Sequence, residues 1–282
     1  MTGLAEPSTT LPRMSEAQIE IPQTREGWYV LHDCYVVDWP LWRACHEGND
    51  VIDEAKAWFE RHSSIERGDT ALYSVVGQKA DFLFLHYRES VAALDEVELS
   101  FRRLRLHGYL KPSYSFLSVI ELGLYEVTAG ARRSLMARGL TPESASWNEA
   151  YKAEVERNTE GLKERLFRKI PSHSHICFYP MSKRRGEIKN WYALTGDERR
   201  DFMRSHGRVG AQYRDQVLQI VTGAIGLDDW EWGVSLHAND PLVFKKLVTE
   251  MRYDPASAWY AEFGPFFVGL RHQPADLTEL LA

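Results

Sequence analysis

The sequence predicts an α+β protein in which one βαββαβ unit occurs twice. Two observations carry this reading. Strand-like and helix-like segments recur in the same order, and their landmarks recur at nearly constant spacing. Gly77 and Gly226, each at a turn between strand-like runs, are 149 residues apart, and His86 and His237, each near the end of its run, are 151 apart. A unit of that order is ferredoxin-like. Helices cover one face of its antiparallel sheet and the other face must find a partner, so two units pack sheet on sheet or close into a dimeric α/β barrel.

Taken in order, residues 1–24 are rich in Ser, Thr, Pro and Glu and read as a disordered leader. The first unit, 25–125, starts with the strand-like WYVLHDCYVVDW (28–39). Apolar spacing at Trp42, Cys45, Val51, Ala55, Trp58 and Phe59 then predicts one or two helices. TALYSVVG and ADFLFLHY read as a hairpin around Gln78-Lys79, a helix follows over about 90–105, and SYSFLSVIEL (113–122) closes the unit as a strand. Residues 126–170 are charged with helical periodicity and form a helical linker. The second unit, 171–282, repeats the order. HICFYPM is a strand, about 196–214 a helix, QVLQIVTGAIG and WEWGVSLHA a hairpin, 241–252 a helix and GPFFVGLR the last strand.

Composition narrows the function classes. With 282 residues, 44% of them hydrophobic, the chain is long enough to bury a sizeable core. Net charge is -6 and the basic residues are dispersed apart from Lys183-Arg184-Arg185, which argues against a nucleic-acid partner. There is no apolar run long enough to span a membrane and no signal-peptide pattern at the start, so a cytoplasmic protein is expected. Three cysteines, Cys34, Cys45 and Cys177, without CxxC spacing read as packing thiols. Nine Trp suit either an aromatic core or an apolar slot for a flat ligand.

The segment HICFYPMSKRR (175–185) holds the main chemical signal. Strand alternation puts Cys177, Tyr179, Met181 and Lys183 on one face and Ile176, Phe178 and Ser182 on the other, with Pro180 marking an edge, a bulge or the strand's exit. On pattern alone, a strand ending in a solvated basic turn is the better reading. Thr195 and Glu198 form a capping box that fixes the start of a helix through DERRDFMRSHG. His206 projects from that helix's apolar side. Such a histidine is more often a satisfied core residue, yet an imidazole flanked by Phe202 and Met203 also suits a single axial haem ligand, and Gly207 would admit a flat macrocycle. Gln219 shares an apolar strand face with Val217 and Val221, as a backbone-bonded edge residue or as a ligand-facing donor. His173 and His175 lack further ligands at metal spacing and read as structural. GxGxxG, P-loop, HExxH and GxSxG motifs do not occur.

These elements carry CFYPMSKRR, NWY, RSHG, LQIVTG, GLDDWEWGVSL and EMRYDPASAWYAEFGPFFVG in that order. In them the chain resembles the coproheme decarboxylases, of the Firmicutes type, in the chlorite dismutase-like superfamily. The resemblance spans about residues 26–270. It implies that His206 is the proximal iron ligand, Gln219 the distal-side glutamine and Tyr179 the tyrosine that becomes a radical. It implies that Arg165 in KERLF binds a propionate and that Tyr179, Pro180, Met181, Ser182 and Lys183 line the same substrate edge. Ser257 in DPASA and Tyr125 in ELGLY are further propionate hydrogen-bonders, and Lys183 takes the proton that Tyr179 releases. One departure stands out. Where such proteins often carry an arginine five residues after the proximal histidine, this chain has Ala211, with Arg208 the nearest candidate.

The implied reaction is peroxide-dependent decarboxylation of two propionates of Fe-coproporphyrin III (coproheme) to vinyls. It gives haem b through a three-propionate intermediate, as the last step of the coproporphyrin-dependent route, and coproheme is both substrate and redox cofactor. The resemblance also implies a homopentamer and transient contact with a coproporphyrin ferrochelatase. Two other readings stay open, a chlorite dismutase or peroxidase and a non-catalytic haem-binding or transfer protein. A distal glutamine is a weak acid and base, which disfavours the first.

Overall fold

The structure is a computed structural model that describes residues 21–282, apart from the side chain of Tyr125, so most of the expected leader lies outside the described residues. The N-terminal unit runs β1 (Thr24–Val37), α1 (Trp39–Arg43), α2 (Gly48–His62), β2 (Gly68–Val75), β3 (Phe82–Arg88), α3 (Val91–Arg102) and β4 (Leu110–Gly123). Three helices follow, α4 (Tyr125–Ala137), α5 (Ala145–Thr159) and α6 (Lys163–Leu166). The second unit runs β5 (His175–Lys183), α7 (Gly196–Ala211), β6 (Leu218–Gly223), β7 (Trp232–Ala238), α8 (Leu242–Tyr253), α9 (Pro255–Tyr260), β8 (Ala261–Phe263), β9 (Phe267–His272) and α10 (Leu277–Leu280). No helix among the described residues is long and apolar enough to cross a membrane.

Most boundaries follow local chemistry. The first strand stops at Val37, short of the expected Trp39, because Asp38 caps α1 by accepting the Leu41 N–H at 3.2 Å and Pro40 fits the first turn of a helix. Both hairpin glycines adopt positive φ, +99° at Gly77 and +82° at Gly226, so the repeat in sequence is also a repeat in backbone geometry. Thr195 and Glu198 do form the capping box of α7.

Each unit pairs its four strands in the same antiparallel order. The first is β4-β1-β3-β2 and the second β9-β5-β7-β6. Two seams join them, β2 with β9 and β4 with β6, so eight strands form a closed ring and β8 extends β5 outside it. At the first seam Gly269 is required. A Cβ there would sit 2.7 Å from the Ser74 carbonyl oxygen, which leaves the neighbouring backbone no room. Closure removes the unpaired edges that an open sheet of this length would expose.

The ring divides the apolar side chains into an interior core and two outer layers. Val30, Leu83 and Phe116 of the first unit meet Ile176, Phe178, Ile220 and Phe267 of the second inside the ring. Outside, α2 and α3 cover the first unit with Trp58, Phe59, Phe84 and Phe101, while α8 covers the second against Cys177, Tyr179, Val234 and Leu236.

Three histidines are buried in this framework. The His32 ring stacks on Phe178 with centroids 3.8 Å apart and its Nε2 lies 2.9 Å from the Ser235 hydroxyl oxygen, His86 Nδ1 lies 3.0 Å from the Thr70 hydroxyl, and His237 is fully buried. Loss of hydration lowers all three from 6.5, to about 3 for His32 and His237 and well below the usual value for His86. The folded protein therefore resists a proton that the unfolded chain accepts. Their stabilising contribution is whole above pH 6.5 and is lost as the pH falls from there toward 3. The denaturant midpoint is expected to drop over that window, and His237→Leu to flatten the slope, which chemical denaturation at a series of pH values measures.

Candidate functional site

The site is built on the outer face of the second unit, and β5 sets its floor. Cys177 and Tyr179 are buried toward α8 with Met181 beside them, whereas Ile176 and Phe178 point into the ring, as alternation requires. Pro180 lies inside the strand at a point where it costs no hydrogen bond. The β9 partner ends at Phe178, the β8 partner starts at Met181, and the proline falls between them while its carbonyl accepts the Gly264 N–H at 2.9 Å. Register carries the face across the sheet. Tyr179 is opposite Val234 and Val234 opposite Val221, and in the next row Cys177, Leu236 and Gln219 align, so Gln219 shares the face of Tyr179 and is exposed there.

The Tyr179 phenol is buried against two rings that offer it no proton acceptor, Phe266 at 4.5 Å and Phe263 at 5.8 Å between centroids. Burial raises its pKa above the usual phenol value, the Cys177 side chain adds to this, and the Arg252 charge opposes it. It is a neutral phenol at physiological pH.

Above this floor, α7 and α9 hold a charged group. His206 on α7 has its Nδ1 3.0 Å from Oδ2 of Asp254, which is almost wholly buried, with its side chain 1% exposed. The same Oδ2 accepts the Ala256 N–H at 3.1 Å and so caps α9. Burial lowers the pKa of His206, the hydrogen bond to Asp254 opposes that, and the Lys183 charge lowers it further. With Nδ1–H donated to a carboxylate, Nε2 is the basic nitrogen left to ligate. Val209, one turn further along α7, packs in the same cluster as Tyr179, and a Cβ added at Gly207 would meet open space. A single neutral imidazole oriented by a carboxylate, beside an open helix face and an apolar sheet, fits an iron porphyrin. Among the described residues no three His, Cys, Asp or Glu side chains gather to hold a bare metal ion.

Lys183, the last residue of β5, places Nζ 4.2 Å from the centroid of Trp191. Burial lowers its pKa from 10.5 to about 8, against the raising pull of Asp254 and Glu231. The tail beyond it is paired outward, Arg184 with Glu262 at 3.5 Å and Arg185 with Glu231 at 3.9 Å. Lys183, Arg184, Arg185 and Glu262 wall a cleft of about 590 Å³ together with Ser182, Asp229 and Trp230.

The other expected site residues are more scattered. Ser257 is buried on α9, directly after Ala256. Ser182 is on the opposite face from Tyr179, where its hydroxyl accepts the Glu231 N–H at 3.3 Å. Arg165 is exposed on α6, which packs on β1 and β4, and Tyr125 begins α4 with its side chain outside the described residues. Arg208 is exposed, and the cation that bears on the Tyr179 phenol is Arg252 on α8, 3.8 Å from the Phe263 centroid. Sequence reasoning missed Arg252, Asp254, Glu231 and Trp191. The Asp-Pro pair at 254–255 is a visible helix-start signal, but nothing local in the sequence links Asp254 to His206.

Asp254→Ala is expected to remove the α9 cap at a cost of about 1 kcal/mol. It should also lower the pKa of His206 further, because both effects of Asp254 on that ring are raising. Thermal unfolding and an NMR titration of the His206 ring check the two outcomes separately.

The chlorite dismutase family model matches residues 48–272. A coproheme decarboxylase of Staphylococcus saprophyticus is 38% identical over 268 residues, 93% of this chain and 99% of that protein. A protein of Natronomonas pharaonis provisionally named as heme-binding is 40% identical over 270 residues, 94% of this chain, which spans 42% of that relative's length. Among solved structures, a heme-binding protein from Thermus thermophilus is 40% identical, with TM-score 0.79 over 93% of this chain and 98% of that one. A variant chlorite dismutase from Candidatus Nitrospira defluvii, 20% identical with TM-score 0.68 over 92% of this chain and 97% of its own, shares the fold. The family match runs through both units and across Tyr179, His206 and Asp254, and the chain belongs to the chlorite dismutase family.

Proposed function

We propose that this chain is a coproheme decarboxylase that converts two propionates of Fe-coproporphyrin III to vinyls with hydrogen peroxide, giving haem b through a three-propionate intermediate. The observation that carries the reading is the pairing of His206, oriented by buried Asp254, with the neutral buried phenol of Tyr179 on the facing sheet. The relative of similar length named coproheme decarboxylase supports it. Bound in this slot, the iron porphyrin supplies a redox centre that peroxide oxidises, and its own side chains are consumed.

In each cycle a propionate loses CO2, one proton and two electrons to leave a vinyl, and one peroxide takes up the two electrons with protons to leave two waters. The residues divide that work. His206 ligates through Nε2, and Gln219 offers a neutral amide on the sheet face rather than a strong acid or base. Tyr179 gives up an electron and its phenolic proton, and the phenoxyl then removes the hydrogen from the propionate β-carbon. Lys183, with a pKa of about 8, is in part a free amine near neutral pH and accepts the phenolic proton. Its ammonium, with Arg165, Ser257, Tyr125 and the outer-rim Arg252, gives the mixture of cationic and hydroxyl donors that four carboxylates need. Pro180 and Met181 line the same edge.

On this reading residues 25–125 are the scaffold and subunit interface, 126–170 the linker and 171–282 the haem-binding unit. The enzyme is a cytoplasmic homopentamer that receives substrate from a coproporphyrin ferrochelatase.

Peroxide titration of the coproheme complex, followed by mass spectrometry of the porphyrin, is expected to show the three-propionate species and then haem b. An unchanged porphyrin mass, or catalytic oxygen release from chlorite, would overturn the reading. Tyr179→Phe is expected to bind coproheme, seen in its Soret band, and to form no vinyl. Lys183→Met should keep binding and slow decarboxylation about 10²- to 10⁴-fold.

A further inference from the structure

Glu231 is a buried carboxylate that the reaction above does not use, and its surroundings give it a task. It sits just before β7, 8% exposed, where the β5–β7 ladder runs out. The last paired residues are Met181 and Trp232; the Glu231 N–H still reaches the Met181 carbonyl at 3.1 Å, and beyond that β7 has no carbonyl to offer. The side chain substitutes for the missing strand, with Oε2 accepting the Lys183 N–H at 2.6 Å. A neutral glutamine could make that hydrogen bond. A buried anion is costly unless a cation compensates it, and the paired cation in view, Arg185, is 3.9 Å away on a side chain that is 69% exposed.

We propose that Glu231 is a positioning residue for Lys183, fixing its backbone at the end of β5 and supplying negative charge that helps hold its ammonium beside Trp191. This rests on the reading of Lys183 as the proton acceptor. The charged and titratable groups around that ammonium are Glu231 before β7, Asp254 at the start of α9 and His206 on α7. On β8 Glu262 is engaged by Arg184, and Arg185 lies on the outer side of Glu231. Burial drives the Lys183 pKa down, and of the two carboxylates opposing this Asp254 is already committed to His206 and Ala256. Glu231 is the one whose charge can be removed without disturbing the His206 hydrogen bond.

The test uses the folded chain without porphyrin. Trace acetic anhydride labels amines over about pH 6 to 12, bracketing the ordinary lysine value and the lowered one, and mass spectrometry compares the Lys183 peptide with that of the exposed Lys246. Glu231→Gln keeps an acceptor and removes the charge, so the Lys183 labelling midpoint should move to lower pH and labelling at neutral pH rise about 3- to 10-fold. An unmoved midpoint in a folded Glu231→Gln overturns the proposal. Arg185→Ala changes an exposed residue and so leaves the fold in place. It frees the Glu231 charge and should move the midpoint the other way, and no movement, or movement in the same direction as Glu231→Gln, also overturns it. With coproheme and peroxide, the rise of rate with pH should shift down in Glu231→Gln. If labelling shifts and the rate profile does not, the role of Lys183 in the reaction fails while its coupling to Glu231 stands.

Discussion

The carboxylate of Asp254 is the constraint on which the site depends. One oxygen atom accepts hydrogen bonds both from His206 on α7 and from the backbone that starts α9, so a single buried group ties the proposed ligand to the helix carrying Ser257. A buried carboxylate without such donors would carry an uncompensated desolvation cost. Here it is held in place by an imidazole, an amide and the nearby Lys183 ammonium, and in turn it keeps the imidazole tautomer fixed. Orientation of the ring and the start of α9 are therefore set by one atom.

The packing of the two helix layers bears on why the proposed site lies in the second unit of a duplicated fold. Both units present a sheet face to their helices, and the two faces occupy equivalent places in the repeat. In the first unit Trp58, Phe59, Phe84 and Phe101 interlock with ring centroids about 5 Å apart and fill the layer. In the second unit the layer nearest α7 holds His206, a glycine with open space beside it and an exposed Gln219 on the sheet. Interlocked aromatics fill the layer of the first unit; in the second, Tyr179 stacks on Phe266 along the sheet and the open space beside Gly207 leaves room for a flat ligand.

Much of this was legible in the chain. The duplication was readable because turn glycines and strand ends leave fixed landmarks, and Gly77 and Gly226 do share a left-handed backbone. The face of Tyr179 was readable because alternation is local, and the start of α7 because a capping box spans four residues. What could not be read were partnerships across sequence distance. Asp254 lies 48 residues from His206, and Glu231 lies 48 residues from Lys183. Neither pair has a periodic signature, since each is made by the order in which strands join rather than by any segment's own pattern. Pro180 shows the same limit from the other side. Its sequence suggested an edge, a bulge or an exit, and only the handover from β9 to β8 explains how a proline sits inside a paired strand.

The charge balance around Lys183 then follows from where strands end. A lysine in mid-strand on this face would be either fully buried and neutral or driven out of the layer. At the last position of β5 it is partly buried, so desolvation lowers its pKa, while two carboxylates brought in by the neighbouring strand and helix hold the loss to a value of about 8. Either carboxylate alone would leave more of the amine uncharged, and neither burial nor pairing alone would put the group within reach of both protonation states near neutral pH. The phenol of Tyr179, two positions back from Met181, is tuned in the opposite sense, kept neutral by aromatic neighbours that cannot take its proton. The two groups share one strand face with opposite tendencies, one retaining a proton and one ready to accept it, and the ends of β7, β8 and α9 converge where that difference is set.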